Sequence, residues 1–279
     1  MNIAKIRLAV GEHIINATKA LHHPRLDDEL VHDARKHLKR ARSDLRLLRP
    51  LDERAYRREN ARLRDAARQL SDVRDDKVLL AVLAELLADE QQPDRRRLLE
   101  RLQARLAKAR ERHWRAVRAS TTLADIRAAL GESARHVGAW REPHDAASAP
   151  AAALRRMYRK GRKAVKRSAK DPSDEQLHEA RKQVKHLAHV VELLARRAPP
   201  KPAKKAIKRA SALGDYLGED HDLAVVEARV LQFPAAPARA KRALRRRLEK
   251  RRARLQKKAL KTARKLFRKK TKSALRRVA

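Results

Sequence analysis

The chain has 279 residues, no cysteine, 6 glycines, 3% aromatics and a formal net charge of +39. Without cysteine there is neither a disulfide framework nor a thiolate metal site. So few aromatics and glycines argue against a β-rich fold, and no glycine-rich phosphate loop of a Rossmann or P-loop enzyme can be found. Such a charge opposes compaction and is relieved by polyanions, so DNA, RNA, anionic membrane and inorganic polyphosphate all qualify as partners, and small neutral metabolites fit poorly.

A charged fraction of 38% would suit a disordered chain, but 42% of residues are hydrophobic and leucine and valine recur at helical spacing. In chain order the pattern predicts helices near 2–21, 26–49, 52–70, 74–89, 94–118 and 122–140, then 151–169, 174–196, 203–217, 220–231 and 238–272. Pro24, Pro50, Pro93, Pro172, Pro199, Pro200, Pro234 and Pro237 punctuate them. Residues 142–153, with two prolines and several small residues, read as a linker or inter-helix loop. The boundary is placed near residue 147, between an N-terminal half (1–146) and a C-terminal half (147–279). The expected class is all-α, each half an antiparallel bundle of four or more helices. Met1 to Ala20 lacks the apolar stretch of a signal peptide. No segment approaches the roughly 18 apolar residues of a membrane span, so the expected location is the cytoplasm.

The halves repeat one another. Residues 30–40, LVHDARKHLKR, match residues 176–186, QLHEARKQVKH, at an offset of 146. Val31, Ala34, Leu38, Ala41, Leu45 and Leu48 share their 3, 4, 3, 4, 3 spacing with Leu177, Ala180, Val184, Leu187, Val191 and Leu194. That spacing is the seam of an amphipathic helix packed on other helices. A weaker match links Leu70–Asp76 to Leu213–Asp222.

Beside the first seam, rotated by about 100°, runs a second stripe: His32, Arg35, Lys39, Arg42 and Arg46. Its counterpart is His178, Arg181 and Lys185, followed by Ala188 and Glu192, with Lys36 and Lys182 as flanking charges. Neighbouring stripe residues lie about 5–6 Å apart, a pitch that suits a linear polyanion better than a single phosphate. Arginine offers a planar fork to phosphate oxygens and lysine a point charge. Histidine donates a hydrogen bond when neutral and gains charge beside a polyanion. A plain solvated face would mix in glutamates, whereas residues 35–42 contain no acid.

Other groups admit blander readings. The acids Asp72, Asp75 and Asp76, and Asp215, Glu219, Asp220 and Asp222, read as helix-capping charges or as partners orienting the stripe. His-Asp pairs occur at 32–33, 144–145 and 221–222, and an all-helical metal phosphohydrolase can use such a pair. Here Arg35, Lys36 and Lys39 would repel a divalent cation, and Glu179 replaces Asp33 in the repeat. No metal or cofactor is expected. Trp114 and Trp140 read as core or inter-helix anchors. The run YRKGRKAVKR, Tyr158 to Arg167, is either a solvated face or an extension of the stripe through Arg159, Arg162 and Lys163. Residues 239–279 hold 21 lysines and arginines against one acid, Glu249, and suit either a bundle helix with a basic outer face or an arm for nucleic acid or anionic membrane.

At the stripe the sequence resembles the conserved-histidine α-helical domain (CHAD) family, whose members carry two copies of a pattern like hHxxRhxxRRhR. Val31-His32-Asp33-Ala34-Arg35 with Lys39-Arg40-Ala41-Arg42 looks like the first copy, and Leu177-His178-Glu179-Ala180-Arg181-Lys182 with Lys185 like the second. LSDVRDDKV (70–78) is similar to the family's LGxxRDxDV, and LGDYLGEDHDLAV (213–225) to its second-half counterpart. Lys36 replaces a usual apolar residue. His186 and Ala188 stand where the family often has basic or bulky residues, so they are left out of the expected contacts.

The resemblance covers nearly the whole chain. It implies two bundles related by a pseudo-twofold axis, with the basic helices facing a central groove or pore that binds inorganic polyphosphate, and association of some members with polyphosphate granules. Some members also carry a triphosphate-tunnel hydrolase domain; none is recognisable here. The expected function is therefore polyphosphate binding without catalysis. The alternative is a histone-like, sequence-independent nucleic-acid binder acting through residues 239–279.

Overall fold

The computed structural model describes residues 2–119, 121–140, 148–194, 201–234 and 236–268, with ten helices and no strand among them. They are α1 (Ile3–His22), α2 (Asp28–Leu48), α3 (Glu53–Gln69), α4 (Ser71–Ala88), α5 (Pro93–Ala119), α6 (Thr122–Gly138), α7 (Ala149–Lys170), α8 (Asp174–Leu194), α9 (Lys201–Gln232) and α10 (Ala238–Leu266).

Local chemistry sets the ends. Asp27 caps α2 by accepting from the Leu30 amide at 2.9 Å, with Asp28 and Glu29 in the first turn, where the helix dipole favours acids. Pro150 sits in the first turn of α7, where its missing N–H is no loss. Residues 149–153 are thus helix rather than loop, while 141–147 lie outside the described residues. The helices expected at 203–217 and 220–231 are one, α9, which runs through Gly214 and Gly218 unbroken. A helical glycine costs only about 1 kcal/mol, less than the packing on either side of it supplies. At the other end of the chain, α10 stops at Leu266, with the Phe267 amide closing on the Ala263 carbonyl at 2.9 Å; residues from 269 onward lie outside the described set.

The 146-residue offset carries from sequence into helix bounds. α2 shifted by 146 becomes 174–194, the span of α8, and α1 and α5 fall on α7 and α10 to within two residues. The pair α3 and α4, interrupted at Leu70, falls on the uninterrupted α9, and α6 has no counterpart among the described residues. The two seams are buried along nearly all of their length: Val31 through Leu48 at 1% exposure or less, and Leu177 through Val191 at 7% or less, with Leu194 at the end of α8 only partly buried. Truncating one such leucine to alanine costs about 2–5 kcal/mol.

Helices from both halves build both cores. The larger joins α1, α2, α3, the start of α4, the end of α5 and α6 to α7, α8, the first part of α9 and the end of α10. The smaller joins α4 and α5 to the second part of α9 and most of α10. Trp114 and Trp140 anchor the larger core, Trp114 also donating to Asp28 at 3.0 Å. Among the described residues no helix is long and apolar enough to cross a membrane.

Candidate polyanion-binding groove

α2 and α8 cross with four polar contacts. Arg40 Nη2 donates to Glu192 Oε2 at 3.1 Å, Ser43 Oγ lies 2.8 and 3.1 Å from Nδ1 of His186 and His189, and Arg46 Nη2 is 3.1 Å from His186 Nε2. Under the 146-residue offset, positions 40 and 192 map onto 186 and 46, and 43 maps onto 189. The first and last contacts are therefore reciprocal images, the pattern of two like surfaces meeting.

To one side of the crossing, cations from three helices, α2, α4 and α8, converge beside α9. Lys39 (α2) has no ion-pair partner among the described residues. Its ammonium reaches water yet is so crowded that desolvation, followed by the charges of Arg35 and Arg181, pushes its pKa down to about 8. Asp75 and Arg74 (α4) also act on it. Arg181 (α8) is half-buried, its Nε unpartnered, and lies against Gly218 of α9. Lys185 (α8) lies against Gly214, where a Cβ would sit 3.0 Å from its Cε, and its Nζ meets Asp215 at 3.1 Å. Asp215, Asp220 and Asp222 are in mid-helix, which rules out the capping role; Asp215 instead orients a stripe lysine. Asp220 serves the scaffold, binding Arg252 and Gln256.

Three histidines line this groove in neutral form. The His32 ring accepts from Arg74 Nε at 2.8 Å through Nδ1, leaving Nε2–H as a donor. Burial, then Arg74, lowers its pKa. His178 faces His221 with ring centroids 4.7 Å apart. Burial lowers both, helped by His221 at His178 and by Arg181 at His221. Beside His32, an open cavity of 510 Å³ is bounded by Arg74, Lys77, Glu219, Asp222 and Arg251. Among the described residues, no three His, Asp or Glu side chains are grouped to hold a metal ion.

The remaining stripe residues differ in role. Arg35 is buried: Nη1 bonds the Ala67 carbonyl oxygen and, at 2.7 Å, Ser71 Oγ, while Nη2 is 3.8 Å from Asp75. It ties α2 to the break between α3 and α4. Lys36 and Lys182 are exposed, each paired with the acid three residues earlier, Asp33 at 3.5 Å and Glu179 at 2.7 Å. Past the crossing, Arg42 donates to Asn60 at 3.1 Å, and Arg46 lies within the electrostatic reach of Lys160.

Arg159 and Lys163 are exposed and Arg162 sits by Tyr158. Lys160 is the α7 cation that feels Arg49 and Arg46. Helical phase carries the signal: Met157, Gly161, Ala164 and Ser168 are buried, and Lys160 flanks that face.

A family model for the CHAD domain matches residues 11–231, a span that includes every stripe residue and excludes α10. The crystal structure of the CHAD domain from the plant Ricinus communis is similar in fold, with TM-score 0.61 and 19% identity over 95% of this chain and 91% of that one. PptA from Streptomyces chartreusis aligns with TM-score 0.67 and 16% identity over 99% of each. No curated protein matches.

Proposed function

The chain belongs to the CHAD domain family, and on that premise we propose that it is a binding module for inorganic polyphosphate, acting without catalysis. The observation that carries the reading is the meeting of Lys39, Arg181 and Lys185 in one groove, where among the described residues the first two make no ion pair and the third pairs with an exposed aspartate. Crowded like charges destabilise a fold, and a polyanion relieves them. The reciprocal contacts at the α2–α8 crossing support a two-fold relation between the rows, so that one chain of phosphates meets cations from both halves. In this reading the protein works in the cytoplasm, gathered on polyphosphate granules. Competition between long-chain polyphosphate and duplex DNA at near-physiological salt tests it: polyphosphate is expected to win, and equal competition would leave only a general cationic binder.

One observation favours a second reading. Arg242, Arg246, Lys250, Arg254, Lys257 and Lys261 form an exposed row on α10 with no ion pair among the described residues. Such a row suits sequence-independent contact with nucleic-acid phosphates.

Two expected results belong here. Polyphosphate affinity falls by about 5-fold between pH 7 and 9, because a bound polyanion favours the Lys39 ammonium and that proton is lost near pH 8. Below pH 6, protonation of His32, His178 and His221 strengthens binding. Calorimetry in buffers of different ionisation enthalpy should show proton uptake at pH 8. Gly214→Ala is expected to stabilise α9 by up to about 1 kcal/mol. The same change displaces the flexible end of Lys185 and weakens polyphosphate binding by about 3-fold, about 0.7 kcal/mol. A melt and a titration on one sample would show the two opposite signs.

A further inference from the structure

The polar cluster at the α2–α8 crossing lies outside the row as read from sequence, and its hydrogen bonds leave little choice of protonation. Arg46 Nη2 is 3.1 Å from His186 Nε2. A guanidinium only donates, so Nε2 must hold a lone pair. The neutral ring then carries its proton on Nδ1, 2.8 Å from Ser43 Oγ. Ser43 sends its own proton to the Lys39 carbonyl at 2.7 Å, and its oxygen accepts from His186 and, at 3.1 Å, from His189 Nδ1. Placing the proton on Nε2 instead would set two donors face to face. Burial, with Arg46 and Arg42 close by, keeps His186 well below its ordinary range and hence neutral.

Arg46 is seven residues from Lys39, about 10 Å along the helix. It stands past the crossing and within reach of Lys160. Its Nε is buried without a partner, so among the described residues the hydrogen bond to His186 is what fixes the guanidinium from the opposite helix. A short anion seated between Lys39 and Arg181 would not meet it, whereas a longer chain would.

We propose that His186, as its neutral Nδ1–H tautomer, is a positioning residue that holds Arg46 beyond the helix crossing and so makes the protein favour polyphosphate chains long enough to reach from Lys39 to Arg46. This rests on the reading of the groove as a polyphosphate site.

The test compares dissociation constants for tripolyphosphate and for long-chain polyphosphate. His186→Phe and Arg46→Gln are each expected to weaken the long chain by about 5–10-fold and to leave tripolyphosphate unchanged. The double variant should be no weaker than either single one, since His186 acts through Arg46. His186→Gln, whose side-chain oxygen can still accept from Arg46, should recover most of the loss, which separates positioning from simple loss of packing. Circular dichroism melts check that each variant is folded. Equal losses for both ligands, additive losses in the double variant, or long-chain affinity untouched by His186→Phe would each overturn the proposal while leaving the groove reading intact. A wild-type protein that binds neither anion would remove both. Nitrogen-15 NMR of the His186 ring gives a ligand-free check: a proton on Nε2 at neutral pH contradicts the proposed tautomer.

Discussion

Replacing Lys39, Arg181 and Lys185 together with glutamine is expected to weaken long-chain polyphosphate binding by about 10²–10³-fold, with duplex DNA affinity changing by no more than about 3-fold. These three share the groove and have little else to do. Lys39 and Arg181 make no ion pair with a described residue, and Lys185 holds only the exposed Asp215. Removing them leaves the seams untouched, so the helical signal and melt should match wild type or improve as crowding is relieved. The slope of log affinity against log salt should fall by about 2, since each lost phosphate contact removes roughly 0.7. DNA binding would persist because the exposed row on α10 is unchanged. Equal loss of both ligands would put the two on one surface and count against a dedicated groove.

Arg35→Ala should act on the fold instead. Its guanidinium serves the Ala67 carbonyl and Ser71 Oγ from a buried position. Hydrogen bonds from a charged donor contribute about 1.5–3 kcal/mol, and the orphaned groups add their own desolvation cost. The expected loss is about 3 kcal/mol, or roughly 5 °C in melting temperature for a chain of this size. Arg35→Lys should recover little, because an ammonium cannot span two acceptors as the planar fork does. A scanning melt of both variants decides it: an unchanged midpoint would mean that Arg35 is a ligand contact rather than a tie.

The all-helical class, the seams on α2 and α8 and the repeated basic stripe were legible because each is a periodicity, and periodicity survives in one dimension. What the chain hid were matters of depth and reach. Helical phase places Arg35 and Lys39 on one face, but only the break at Leu70 opens the carbonyl that captures the first and leaves the second free. The gap expected at residues 218–219 is helix instead, because α9 continues through Gly218, where the missing side chain leaves room for Arg181. On α7 the basic run offers several cations at once, and only the packed face of the helix singles out Lys160 as the one beside Arg46. His186 departs from the family pattern, and only the crossing shows it as the acceptor for Arg46.

The unlike fates of Arg35 and Arg181 show what duplication does to a charged site. They are the same position in two copies, yet one is built into the scaffold while the other lies along an unbroken helix with its Nε unpartnered. A single-copy site could not give up an arginine this way without losing a contact. With two, one copy can hold the scaffold while its twin stays open to a ligand. The rows should therefore tolerate substitution unequally: changes at Arg181 register in affinity, and changes at Arg35 register in the yield of folded protein.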